Sequence, residues 1–247
     1  MPTQPSSPPK PVAEKFRPEL TRLPEYTSAR RLFRRFLRGL ARLIVDFWLR
    51  PEVRGLENFP QKGPAVIALN HLGDADAVLV LSYLPSIEID PLGASELYDL
   101  KWLGRLSDWY GTIWLHRGRA DRRALACALE SLRRGRFVAI APEGRESPTR
   151  SLEEGAFGAA FLALKADVPI VPVAVTGTEN ERVYGSLQRF RPRRVHATMT
   201  VGKSFRLARP GGRREAMRLG TERIMQELAR LLPPQYRGVY AGAVQER

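Results

Sequence analysis

Residues 65–84 read Ala65-Val66-Ile67-Ala68-Leu69-Asn70-His71-Leu72-Gly73-Asp74-Ala75-Asp76-Ala77-Val78-Leu79-Val80-Leu81-Ser82-Tyr83-Leu84. The first five residues form a short, uninterrupted apolar run, which reads as a strand buried on both faces. A polar turn containing Gly73 follows, and from Asp76 to Leu84 the chain reads as helix. Strand, turn and helix in that order make up half of a crossover unit, and the unit recurs along the chain. Further strands are predicted at Glu52 to Arg54, Glu88 to Gly93, Thr112 to His116, Phe137 to Ala141, Ile170 to Thr176 and His196 to Val201. Helices are predicted at Leu100 to Trp109, Asp121 to Arg134, Gly155 to Ala166 and Arg213 to Leu232. This alternation predicts a single α/β domain over residues 51–232, a mostly parallel mixed sheet flanked by helices. No internal repeat and no long linker divides it.

Upstream, Ser28 to Arg50 predicts an N-terminal amphipathic helix. Leu32, Phe33, Phe36, Leu37, Leu40, Leu43, Ile44, Phe47 and Trp48 recur at three- and four-residue steps, with Arg31, Arg34, Arg35, Arg38 and Arg42 opposite. Seven arginines and one aspartate give this segment a net charge of 7 − 1 = +6. Two readings stay open: the stripe packs on its own domain, or it lies in a membrane interface with guanidinium groups on anionic head groups. Residues 1–27, rich in proline, read as a disordered tail, and 233–247 as a C-terminal tail. No apolar run approaches the roughly 18 residues of a spanning helix, and the first residues match neither a signal nor a transit peptide.

The chain of 247 residues carries 40 Lys plus Arg against 26 Asp plus Glu, a net charge of +14. One cysteine, Cys127, excludes an internal disulfide framework and a cysteine-rich metal site, consistent with a reducing compartment. In open α/β sheets ligands collect at the carboxyl ends of strands, so the polar residues after each apolar run are the ones to read. Three ends stand out: Asn70 to Asp76, His116 to Gly118, and Pro142 to Ser147. His71 with Asp74 and Asp76 places an imidazole and two carboxylates on one turn. A carboxylate accepting one ring N–H would leave the other nitrogen to take a proton from a hydroxyl, an arrangement suited to acyl transfer. Positions five apart diverge on a regular helix, so a His71–Asp76 contact requires an irregular turn, which Gly73 permits. The alternative is a turn in which His71 is a cap and the aspartates complement a helix start. Arg117 and Arg145 can fork onto phosphate beside Gly118 and Gly144, with Glu143 orienting an arginine or a substrate hydroxyl. His116 and His196 read as lone, structural histidines.

Several motifs fail. VGKS at Val201 to Ser204 lacks the upstream glycine of a phosphate loop, and no G-x-S-x-G, G-x-G-x-x-G or H-E-x-x-H occurs. The charge and the run Arg189-Phe190-Arg191-Pro192-Arg193-Arg194 would also suit a nucleic-acid binder. The arginines are dispersed, however, and no helix-turn-helix or zinc pattern accompanies them, so no nucleic acid is expected.

Residues 50–205 resemble the glycerolipid acyltransferases, the lysophospholipid or 1-acylglycerol-3-phosphate acyltransferase family. Asn70 to Asp76 resembles the family's NHxxxxD block, GTIWLHR at Gly111 to Arg117 its second, APEGRES at Ala141 to Ser147 its FPEGTRS block, and VPIVPV at Val168 to Val173 its fourth. ASEL at Ala94 to Leu97 and WLG at Trp102 to Gly104 also sit where such enzymes carry similar segments. The resemblance implies His71 as general base and Asp76 as its partner, with Asn70, Arg117, Glu143, Gly144, Arg145 and Glu146 in substrate binding. It implies direct transfer from acyl-CoA or acyl-acyl-carrier protein to a lysolipid hydroxyl, with no metal or redox cofactor, on the cytoplasmic face of an anionic membrane. One departure stands out: where the family has Thr-Arg after Glu-Gly, this chain has Arg145-Glu146, which leaves a non-phosphate aminolipid or glycolipid acceptor open.

Overall fold

All seven expected strands form in the computed structural model, which describes residues 9–12, 15–118, 120–193 and 195–243. They are β1 (Leu49–Arg54), β2 (Ala65–Leu69), β3 (Ile89–Ala94), β4 (Ile113–Leu115), β5 (Phe137–Ile140), β6 (Ile170–Thr176) and β7 (Val195–Val201). The helices are α1 (Ser28–Trp48), α2 (Ala75–Tyr83), α3 (Lys101–Tyr110), α4 (Arg122–Arg133), α5 (Gly158–Ala166), α6 (Asn180–Gln188) and α7 (Arg213–Leu231). Strand order is β1-β7-β6-β2-β5-β3-β4, parallel throughout except between β6 and β7. The single mixed sheet is the one the sequence predicts. Helix α6 was not predicted, because its nine residues include Gly185 and its pattern has no clear apolar face.

The central strands are buried on both sides, which explains their unbroken apolar runs. Val66, Ala68, Val138, Ile140, Ile170 and Ala174 face α4, α5 and α7, while Ala65, Ile67, Leu69, Phe137, Ala139, Val171 and Val173 face α1 and α2. Alternate residues of each strand thus serve two cores, and the polar residues that end β2, β4, β5 and β6 emerge together at one edge.

Helix α1 docks through a face that carries Arg34, Arg38 and Val45, while Arg31, Arg35 and Arg42 stay exposed. Its fully buried residues are Arg34 and Val45, whereas Leu32, Phe36, Leu40, Leu43, Ile44 and Phe47 are exposed. Arg34 donates to the Tyr110 and Ile87 carbonyls and to Asp90 Oδ1 at 2.6 Å, and Asp90 also binds Ser131 and Arg136. Arg38 donates to the Ser82 carbonyl, Arg30 to that of Trp109, and Arg42 lies over the Tyr83 ring. A buried guanidinium is tolerable because its donors meet carbonyls and a carboxylate. Most of the apolar stripe is therefore not packed on its own domain; Phe33, Leu37 and Trp48 are half-buried, Phe33 against the Trp109 ring at 6.0 Å. The structure also corrects the placing of Arg34 and Arg38 on lipid head groups, since both are engaged by protein. Among the described residues, no helix is long and apolar enough to cross a membrane.

The expected tails need correction. Leu20 and Thr21 are buried, the Thr21 hydroxyl donates to the Trp114 carbonyl, and Arg17 pairs with Asp99 at 2.7 Å. Lys10 donates to the Glu143 and Glu154 carbonyls. The prolines that argue against helix do not prevent an extended segment from finding partners on a folded surface. At the other end, the Tyr236 hydroxyl donates to Glu179 and that of Tyr240 accepts from Gly155 N–H. The remainder of both segments, residues 1–8, 13–14 and 244–247, lies outside the described residues.

Candidate active site

The site grows from the end of β2. Asn70 is fully buried and continues the ladder with its side chain, donating to the Val175 carbonyl and accepting Val175 N–H. Both amide atoms are thus satisfied by β6, so Asn70 fixes the strand end and does not face substrate as expected. The chain then leaves the sheet through Leu72 and Gly73 before α2 begins at Ala75, and this irregular turn brings residues 71 and 76 together. A Cβ on Gly73 would lie 2.4 Å from the Thr178 carbonyl oxygen, so only glycine lets the turn pack against β6's exit.

His71 Nδ1 and Asp76 Oδ2 are 2.9 Å apart. The same oxygen accepts from Leu72 N–H at 2.6 Å and Gly73 N–H at 3.0 Å, so Asp76 Oδ2 is an acceptor and the imidazole proton sits on Nδ1. Nε2 is then a free base, without a hydrogen-bond partner among the described residues. Asp76 is fully buried, while the His71 side chain is 25% exposed. Burial opposes charging of the imidazole, yet the hydrogen bond and negative charge of Asp76 outweigh it. With help from Glu146 and against Arg117, they hold the His71 pKa above its ordinary value.

The loop after β5 clamps the backbone of His71. Glu143 is fully buried; one carboxylate oxygen accepts from His71 N–H at 3.1 Å and the other from Glu153 N–H at 2.9 Å. Ser147 N–H donates to the His71 carbonyl at 2.8 Å. Burial pushes Glu143 up to about 7 despite these two donors. Glu143 thus positions the histidine, a correction to its expected place on an arginine or an acceptor hydroxyl. Gly144 makes the tight turn beyond it at φ +73°, a conformation in which a side chain would be strained.

The two expected arginines do not converge. Arg145 is buried and doubly bonded to Glu153, at 2.5 and 2.8 Å, with a further bond to the Pro9 carbonyl. It is a neutralised internal pair, and β3 lies between the strands that precede Arg145 and Arg117. Arg117 is half-buried, senses His71 electrostatically, and makes no hydrogen bond or ion pair among the described residues. Glu146 accepts from the Asn180 amide at 3.0 Å; burial raises its pKa, and Asp74, Asp76 and Glu181 add to that against His71. Asn180 Oδ1 in turn accepts Asp74 N–H, and the Tyr184 hydroxyl donates to Asp74 at 2.6 Å. Asp74 therefore belongs to α6's side of the site, apart from the His71–Asp76 pair.

The sequence reading includes Ser147 in its third strand end without giving it a role, and it misses Glu153, Asn180 and Tyr184. The last two lie on the unpredicted α6, and Glu153 gave no signal beyond being an acid eight residues from Arg145. One signal was present and passed over: His116 repeats the five-residue spacing with Asp121. Its Nδ1 lies 2.8 Å from Asp121 Oδ2, and its Nε2 accepts Arg17 N–H at 2.9 Å. His116 is structural, as expected, but it is not alone.

Comparison with known proteins bears on this site directly. The family model described as Acyltransferase matches residues 50–176, slightly more than half of the chain. An uncharacterized protein of Mycobacterium tuberculosis is 27% identical over 173 residues, 63% of this chain and 44% of that protein. A human 1-acyl-sn-glycerol-3-phosphate acyltransferase alpha is 31% identical over 140 residues, 54% of this chain and 48% of that protein. The chain thus spans just under half the length of these relatives. The crystal structure of the 1-acyl-sn-glycerophosphate acyltransferase PlsC from Thermotoga maritima superposes with a TM-score of 0.62 at 19% identity, covering 81% of this chain and 80% of that one. The matched residues contain β2, β4, β5 and the turns that carry His71, Asp76, Arg117 and Glu143, and the chain belongs to the Acyltransferase family.

Proposed function

We propose that this protein is an O-acyltransferase that moves a fatty acyl group from acyl-CoA or acyl-acyl-carrier protein to the hydroxyl of a membrane lysolipid, as a step of phospholipid synthesis. The observation that carries this reading is the His71–Asp76 pair, with Nδ1 tied to a buried carboxylate, Nε2 without a partner among the described residues, and the imidazole side chain a quarter exposed. Nε2 takes the proton of the acceptor hydroxyl as its oxygen attacks the thioester carbonyl; the C–S bond breaks, and the imidazolium returns the proton to the departing thiolate. The oxygen is acylated, the donor leaves as free thiol, and the histidine ends neutral. Asp76 supports the positive charge between the two events. The step as proposed calls for no resident metal or redox cofactor.

The acceptor proposed first is 1-acylglycerol-3-phosphate, the substrate that the human relative's name carries, with Arg117 holding its phosphate. A second reading, a phosphate-free aminolipid or glycolipid, is favoured by one observation: Arg145 is neutralised by Glu153, and a carboxylate, Glu146, stands beside the histidine. The exposed stripe of α1 supports peripheral attachment to an anionic membrane, on the proposed cytoplasmic face where acyl thioesters are found. Assay of the purified protein against lysophosphatidic acid, other lysophospholipids and lyso-aminolipids, each with both donors, tests the proposal. Lysophosphatidic acid as best acceptor, with His71→Ala inactive, supports the first reading. A phosphate-free preference abolished by Glu146→Gln supports the second, and full activity in His71→Ala removes both.

A further inference from the structure

The arginine-rich run after α6 has no part in the site, yet the fold carries it to the end of the exposed stripe of α1. Strands β1 and β7 pair in parallel with Leu49 opposite Val195, so the residues preceding each strand come side by side. Arg193 N–H donates to the Trp48 carbonyl at 2.8 Å. Trp48 meets Phe190 edge-on at 5.4 Å and Phe47 at 5.3 Å, so an aromatic path runs from α1 into the loop. Phe190 is 76% exposed, the most exposed large apolar side chain among the described residues, and it sits at φ +46°. A bulky residue in that region is strained, and the strain brings no burial in return. Arg189, Arg191 and Arg193 flank it, all exposed, and their side chains make no hydrogen bond or ion pair among the described residues.

We infer that the Arg189–Arg193 loop is a second membrane-insertion element, in which Phe190 enters the interface of an anionic bilayer and the flanking arginines contact lipid phosphates. The inference rests on the peripheral-membrane reading of α1. The bilayer is favoured over nucleic acid by continuity: the loop extends a surface that already exposes Leu32, Phe36, Leu40, Leu43, Ile44 and Phe47. Those side chains have no use on a phosphate backbone and gain by burial in an acyl boundary. An aromatic ring among cations suits a headgroup layer, where the ring sinks to its edge and the guanidinium groups stay in water. Helix α1, about 31 Å long at 1.5 Å per residue, would then be pinned beyond its C-terminal end and lie flat.

Flotation of the full chain with phosphatidylcholine vesicles, with and without phosphatidylglycerol, tests this using Phe190→Ser, a triple Arg189→Gln, Arg191→Gln, Arg193→Gln variant, and Leu43→Ser on α1. All these side chains are exposed, and unchanged thermal unfolding confirms that the fold is kept. Phe190→Ser is expected to lower partitioning about tenfold, the lower end of what withdrawing a phenyl ring from an apolar phase costs. The triple variant is expected to lose most of the preference for anionic over neutral vesicles. Wild-type binding by Phe190→Ser while Leu43→Ser loses binding overturns the second anchor and leaves the membrane reading standing. Wild-type binding by both overturns the anchor together with the membrane reading. Loss of RNA affinity in the triple variant, with vesicle binding untouched, assigns the loop to nucleic acid and overturns the inference.

Discussion

Two histidine–aspartate pairs of identical spacing stand at the carboxyl ends of two strands of one sheet. His71 and Asp76 follow β2; His116 and Asp121 follow β4. In both, Nδ1 donates to an aspartate oxygen that also accepts backbone N–H groups: Leu72 and Gly73 for Asp76, His116 itself for Asp121. Asp121 in addition caps α4 through Arg123 and Ala124. The pairs part at the second nitrogen. In His116 it accepts Arg17 N–H, Phe16 closes over the ring at 4.7 Å, and the side chain is fully buried. In His71 it has no partner among the described residues, and the side chain is a quarter exposed. The spacing thus makes a polarised imidazole in either place, and only the neighbouring chain decides whether it is a base or a strut.

The largest effect expected separates the two pairs by kind. His71→Ala should lower kcat by roughly a hundred- to ten-thousand-fold with thermal unfolding little changed. His116→Ala should leave an unpaired Arg17 N–H and cost about 1–3 kcal/mol of stability, seen in denaturant melts. If His116→Ala instead loses turnover at full stability, the contrast is broken. Within the first pair, Asp76→Asn should be nearly as damaging as His71→Ala. Asp74→Asn should be mild, since Asp74 faces Tyr184; equal losses would assign the partner wrongly. Glu143→Gln probes the clamp that His116 lacks. Its amide keeps one acceptor and turns a donor toward a backbone N–H, so His71 should shift and kcat fall, by up to about a hundredfold for a displacement near 1 Å. KM should change little.

The smallest effects lie in the pH profile. A base must be unprotonated, so the acidic limb of kcat/KM should lie above the ordinary histidine pKa, in keeping with the raised value at His71. Glu146→Gln removes a charge that favours the imidazolium and should move that limb to lower pH. Arg117→Ala removes a charge that opposes it and should move the limb to higher pH. Shifts in the same direction would mean that the two side chains do not flank His71 as drawn.

The strands and most helices were legible because the central sheet is buried on both faces, so its apolar runs are continuous and bounded by polar turns. The His71–Asp76 contact was legible because both partners lie within six residues and Gly73 marks the irregular turn. What escaped depends on distant chain. That Asn70 meets Val175, that Arg145 is consumed by Glu153, and that Lys10 and Arg17 hold a proline-rich segment in place are tertiary facts with no local signature. The orientation of α1 escaped for a different reason. A helical stripe shows that two faces exist but not which one the domain takes, and here Arg34 finds Asp90 inside while the leucines stay out.

Among the described residues β1 pairs only with β7, Leu49 against Val195, and this also dictates an order of events during synthesis. At typical elongation rates, roughly 7 to 30 seconds separate the two residues leaving the ribosome. Throughout that interval the β1 edge has no strand to join, and the leucine- and phenylalanine-rich helix ahead of it is already in the open. A nascent chain in this state offers its stickiest surface before the folded domain exists. Translation beside a bilayer, or under the protection of a chaperone, is expected to raise the yield of folded protein.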